Sequence, residues 1–134
     1  MTIQQYDIFL DNKKKGATEL EKADTPMGVV FGRVTLEHID SGFDFFKTYC
    51  VKNNIVIITD YPDDKLIGTA DIPNLIVVNP NGIEIRGQVT NIEGMDSDVF
   101  EIIICGISYP FFEEEFPHQV KYIMTNSKTS NDDR

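Results

Sequence analysis

The side chains in this 134-residue chain best equipped for chemistry are two histidines, two cysteines and a surplus of carboxylates. A general base must be held against a substrate proton, and histidine is its commonest carrier. His38 follows Glu37 at the end of an alternating segment, and His118 follows Pro117 beside an acidic run. Neither sits in a recognisable catalytic pattern, so both read as ordinary, partly exposed histidines. Cys50 and Cys105 lie among apolar neighbours with no CxxC partner and no nearby histidine. They read as buried free thiols, without metal or redox chemistry. No serine stands in a GxSxG elbow, and the glycines around residues 29–31 form neither a dinucleotide fingerprint nor a phosphate loop. The expectation is a protein without catalytic residues, metal or cofactor.

The carboxylates ask for a different reading. Asp60, Asp63 and Asp64 surround Tyr61-Pro62, and Asp96 and Asp98 stand two apart. Neither cluster has the ligand spacing, central glycine and terminal glutamate of a calcium loop, so both read as solvated turn carboxylates. Residues 109–118 set Phe111, Phe112 and Phe116 around Glu113, Glu114 and Glu115. Three exposed phenylalanines would form a sticky patch, so the rings should anchor the segment while the glutamates face water as a rigid anionic surface. Together with Asp63, Asp64, Asp96, Asp98 and Glu101, these glutamates are the expected contacts for a basic protein partner. Such complementarity speeds association and selects partners more than it adds affinity. A carboxylate pair acting as acid and base, as in a hydrolase, remains an alternative, because sequence does not place two acids face to face.

The totals agree with this emphasis. Asp and Glu number 22 against 12 Lys and Arg, a net charge of -10. A surface this negative repels phosphate backbones and anionic lipid headgroups, so direct nucleic-acid and membrane binding are disfavoured and a basic protein is favoured. The same charge also serves plain solubility. The N-terminus lacks a basic region followed by an apolar stretch. Apolar runs such as 55–58 and 102–105 fall well short of the ~20 residues of a membrane span. The chain is therefore expected in the cytoplasm.

The elements that must position these groups follow from periodicity. Residues 6–11 and 17–22 suggest a hairpin with its lysine-rich turn at 12–16. Residues 29–38 alternate after a break at 24–28 and suggest a strand covered on both faces at its start. Ser41 and Asp44 resemble a capping box opening a helix over about 42–53, with Phe43, Phe46 and Cys50 on one face. That face should pack on a sheet; as an alternative it would line an apolar pocket of an adaptor or small-ligand module. Residues 55–59 form a short strand candidate, and 66–69 are too short to assign. Strands at 75–78, 83–89 and 99–107 form a meander, with 91–98 as a polar connection. A short C-terminal helix begins at Pro117 and runs to about Met124, or begins nearer Phe111. The expected fold is α+β, a mainly antiparallel sheet of about five to seven strands with one helix packed on a face. Residues 1–126 form a single domain, and 127–134 form a polar, disordered tail.

Four stretches, Met27-Gly28-Val29-Val30-Phe31-Gly32, residues 41–50, Ile72-Pro73-Asn74-Leu75 and Gly94-Met95-Asp96-Ser97-Asp98, resemble those of small acidic bacterial proteins. Proteins of that type are often immunity proteins of polymorphic-toxin or contact-dependent inhibition systems. The resemblance spans most of the chain in style, size and charge. It includes no motif with an assigned chemical role, so no site residue is carried over. It implies a protein that binds and neutralises a cognate toxin domain such as a basic nuclease. Carboxylates would stand in for phosphates on that surface, and electrostatic steering would make capture fast.

Overall fold

The computed structural model describes residues 4–119, and nine strands run through them in one antiparallel sheet. The strands are β1 (Tyr6–Leu10), β2 (Lys13–Thr18), β3 (Lys22–Asp24), β4 (Val29–Leu36), β5 (Ile57–Tyr61), β6 (Leu66–Thr69), β7 (Leu75–Val78), β8 (Val89–Met95) and β9 (Phe100–Cys105). Their order across the sheet is β5-β6-β8-β9-β4-β2-β1-β7. Short β3 pairs with the first half of β4, and β2 pairs with its second half.

Period-two alternation decides which side chains meet. Tyr6, Ile8 and Leu10 of β1, Leu75 and Val77 of β7, and Phe100, Ile102 and Ile104 of β9 are all buried on one face. Helix α1 (Gly42–Lys52) closes that face with Phe43, Phe46 and Cys50. The Phe46 ring lies 6.0 Å from the Phe100 ring. Gly42 permits this approach, because a Cβ there would stand 2.5 Å from Cε1 of Phe100. The helix face is thus filled by Phe100, and burial of each such ring contributes roughly 1.5–3 kcal/mol. Cys50 is a buried free thiol whose pKa is pushed up by burial, and Cys105 is free and half-buried.

The α+β, mainly antiparallel character matches the sequence reading, but nine strands replace the expected five to seven. Two departures add strands, and a third exchanges one strand for another. The first hairpin turns at Asp11 and Asn12, both at positive φ (51° and 67°), as a tight two-residue turn requires. Lys13, Lys14 and Lys15 therefore belong to β2, where Lys14 pairs with Asp7 and Glu37 at 3.3 Å each. The chain then has room for the separate strand β3. Residues 66–69, too short to assign from sequence, form the interior strand β6 between β5 and β8. Residues 83–88, expected as a strand, make only the bridge of Glu84 to Val78. Gly87 there crosses so close to the Cys105 carbonyl that a Cβ would sit 2.2 Å from its oxygen.

The strand in this region is β8, which begins at Val89 and takes in the first five residues of the stretch read as a polar connection. Ile92 points into the core while Asn91 and Glu93 take the other face. Both starts expected for a C-terminal helix are found: α2 (Phe111–Glu115) begins at Phe111, and after a break at Phe116 the residues Pro117, His118 and Gln119 are helical again. The expected extension to Met124 and the tail 127–134 lie outside the described residues. Among the described residues no helix is long and apolar enough to cross a membrane.

Candidate partner-binding surface

Two turns meet at one end of the sheet. The β5–β6 turn is a single 3-10 turn, Pro62–Asp64, with proline's fixed φ at its start and Lys65 in the left-handed region (φ 53°) at its close. The β8–β9 turn follows Met95, where the Asp98 N–H donates to the Met95 carbonyl at 3.1 Å. The Asp96 N–H donates to the Lys65 carbonyl at 3.1 Å and joins the two turns.

The same Asp96 secures both turns to α1. Its carboxylate accepts from the Phe43 N–H at 2.9 Å and from the Ser41 hydroxyl. Ser41 Oγ in turn accepts from the Asp44 N–H at 3.1 Å. A helix start offers unsatisfied N–H groups and the positive end of a dipole, so a carboxylate from another element is stabilising there. The capping residue expected at Ser41 is present. The Asp44 side chain turns away to Lys65 at 3.2 Å, and Lys47 pairs with Asp60 at 3.1 Å. Both ammonium groups lie 5.4 Å over the Phe43 ring.

Asp63, Asp64 and Asp98 are exposed, with no salt bridge among the described residues. Among the described residues this end therefore gathers Asp44, Asp60, Asp63, Asp64, Asp96 and Asp98 around the paired cations Lys47 and Lys65. Glu101 borders this end rather than joining it, along a groove that it shares with Asp98. Glu101 lies on the opposite face of the sheet, cross-strand from Arg33, and pairs with Lys22 at 3.5 Å.

Glu113, Glu114 and Glu115 stand at the far end. The strand order separates the two groups: Asp63 and Asp64 follow edge strand β5, whereas Glu115 meets Tyr6 of β1 and Asn79 just past β7, the strand at the other edge. Glu113 and Glu114 are exposed, whereas Glu115 is half-buried. Its Oε2 accepts from the Tyr6 hydroxyl at 2.9 Å and from Gln4 Nε2 at 2.7 Å. Its Oε1 accepts from Asn79 Nδ2 at 2.9 Å. Asn79 is buried, and its own oxygen accepts from the N–H groups of Asn81 and Ile83. Burial pushes the Tyr6 phenol well above its usual pKa, and the hydrogen bond to Glu115 and that carboxylate's charge push it further. Phe112 and Phe116 are buried beneath, 5.3 Å apart, as the expected anchors.

Beside this network lies an open cleft of about 830 Å³, with Glu19, Glu21, Asn79, Glu114, Glu115 and His118 among its walls. It is a place where acids and an imidazole share a concavity. Glu21 is already engaged there by the Arg33 N–H at 2.9 Å. The second histidine, His38, is exposed on the link between β4 and α1. Among the described residues no group of three or more His, Cys, Asp or Glu side chains is arranged to hold a metal ion.

The expected contact residues thus separate. Asp63, Asp64, Asp96 and Asp98 come together, Glu101 borders them through Asp98 on the other face of the sheet, and Glu113, Glu114 and Glu115 occupy the opposite end. Sequence reasoning missed Asp44 as a member of the first group and did not count Asp60 as a contact. It also missed the donors that claim Asp96 and Glu115. The spacing of Ser41 and Asp44 pointed to a helix start in need of a cap; nothing in the chain pointed to Asp96 as its supplier. No family model, no curated protein and no solved structure matches the chain.

Proposed function

We propose that this chain is an immunity-type protein that binds and neutralises a basic toxin domain in the cytoplasm. The observation that carries this reading is the display of Asp63, Asp64 and Asp98 on two turns tied to each other and to α1. Carboxylates on a braced frame need little ordering when a cationic surface arrives, so less of the interaction energy is lost to entropy. Their summed field also raises the encounter rate with a basic partner. The test is co-expression with the toxin encoded beside this chain, followed by association kinetics. Asp63→Asn with Asp64→Asn should slow association about tenfold at low salt, and the difference should shrink as salt rises. Glu113→Gln with Glu114→Gln removes the same charge from the other end and should act far less. Absence of protection, or equal effects from the two pairs, would defeat the proposal.

A second reading, a carboxylate-dependent hydrolase, draws on the cleft beside α2. Both Glu115 oxygens are occupied as acceptors, which leaves Glu19, Glu114 and His118 as its available groups. In the co-expression assay Glu114→Gln and His118→Ala should leave protection intact. Loss of protection in those variants would move the function to the cleft.

A further inference from the structure

The two edges of the sheet are finished differently. Beyond β7 the chain folds back along the edge: Glu84 bridges Val78, the Ile85 N–H donates to the Val77 carbonyl at 2.8 Å, and the Asn79 N–H donates to the Ile83 carbonyl at 2.9 Å. Strand β5 forms the other edge, and among the described residues only β6 pairs with it. Exposed edges are usually blunted by lysine, proline or a bulge. Here the register shift between Ile57 and Thr59 bulges the start of the strand, while Thr59, Asp60 and Tyr61 continue in register with β6. The strand contains no lysine, and Pro62 falls just past its end.

The exposed side chains at this edge are also unusual. Ile58 is 70% exposed, Val56 66% and Tyr61 59%, with Val51 of α1 66% exposed nearby in sequence. Solubility does not call for apolar groups beside an unpaired backbone edge. Asp60, Asp63 and Asp64 lie on the same strand and the turn that follows it. A second copy of the chain would bring these carboxylates toward their own kind, on top of a net charge of -10 on each molecule. A basic segment would meet them with opposite charge.

We infer that β5 is the docking edge for an extended segment of the partner, one that alternates apolar residues with Lys or Arg and adds a strand to the sheet. Backbone hydrogen bonds would supply affinity, Val56 and Ile58 would cover the apolar side chains, and Asp63 and Asp64, with Asp60 already paired to Lys47, would select the cations. This rests on the reading of the chain as a binder of a basic protein, and it specifies how contact is made.

The test uses the whole chain and a synthetic peptide of alternating Val and Lys, with a control peptide carrying prolines at its centre. Amide hydrogen exchange should show slowing at Ile57–Tyr61 with the alternating peptide and not with the control. Val56→Thr with Ile58→Thr keeps strand-favouring, uncharged residues and should weaken binding about tenfold. Failure of the peptide to bind, protection appearing only at α2, or unchanged affinity in the threonine variant would overturn the inference. A dimer of the chain alone with β5 protected would overturn it too, by showing a second copy as the occupant. The two proposals fail separately. If Asp63→Asn with Asp64→Asn slows toxin association while the threonine variant does not, the electrostatic reading stands and strand addition falls. If the threonine variant acts and salt does not, the edge stands and the charged reading falls.

Discussion

The two acidic ends of the sheet hold the same chemistry and use it in opposite ways. At the hairpin end, Asp63, Asp64 and Asp98 point away from the molecule, and their neighbours supply no cation to them among the described residues. At the α2 end, Glu115 turns inward and gathers a phenol and two amides. The difference arises from what surrounds each carboxylate. A tight hairpin turn satisfies its own backbone and leaves side chains to water, whereas a short helix seated on buried Tyr6 and Asn79 must provide an acceptor for both. A run of acids is therefore no measure of available negative surface.

The largest expected effect breaks the internal end. Glu115→Ala leaves the Tyr6 hydroxyl and Asn79 Nδ2 without their acceptor in a buried setting. Each orphaned group costs about 1–3 kcal/mol, so the variant should lose about 2–6 kcal/mol in denaturant unfolding. The toxin association rate of its folded fraction should stay near that of the parent. A stability change below about 0.5 kcal/mol, the range of ordinary surface substitutions, would show that Glu115 is as dispensable as its exposed neighbours.

The same network gives an alkaline signature. Tyr6 has its pKa raised above the ordinary 10.0, chiefly by burial and then by Glu115. A group whose folded pKa is raised stabilises the fold fully below its unfolded pKa, and that contribution fades as pH climbs above it. Stability should therefore fall as pH passes about 10, where the unfolded chain begins to release phenolic protons. Tyr49 and Tyr109 are also raised, burial being the main cause in each, and share in the decline. Tyr6→Phe should make the fall between about pH 9 and about pH 11 shallower. An unchanged slope in urea titrations at those pH values would separate Tyr6 from the effect.

Much of this arrangement was readable from the chain, and the parts that were not share a cause. The alternation in residues 6–10 and 100–105 and the Phe43, Phe46, Cys50 stripe were visible because each buries one face against a continuous core. Strand β8 was hidden because its outward residues, Asn91 and Glu93, dominate its composition while Ile92 alone marks the core face at its centre. Residues 83–88 misled in the reverse sense: their alternation is genuine, yet only Glu84 finds a strand partner. The acidic residues were easy to see and hard to sort. Local sequence gives a carboxylate its exposure only when its donors are also local, and those of Asp96 and Glu115 arrive from residues distant in the chain.

Asp96 carries the comparison inside the displayed end, where effects should be smallest. It stands in the same cluster as Asp63 and Asp64, yet it accepts from the Phe43 N–H and the Ser41 hydroxyl at the start of α1. Loss of a helix cap typically costs about 1 kcal/mol. Asp96→Ala should therefore lower stability by about that amount, whereas Asp63→Asn and Asp64→Asn should each remain within about 0.5 kcal/mol of the parent. The order should invert in association kinetics, where the exposed pair dominates the rate. Ser41→Ala provides the cross-check. Asp96 and Ser41 serve the same helix start, so the double variant should lose less than the two single losses combined. Strict additivity would mean that the two residues act independently, and that the turn between β8 and β9 is held to α1 by something other than this carboxylate.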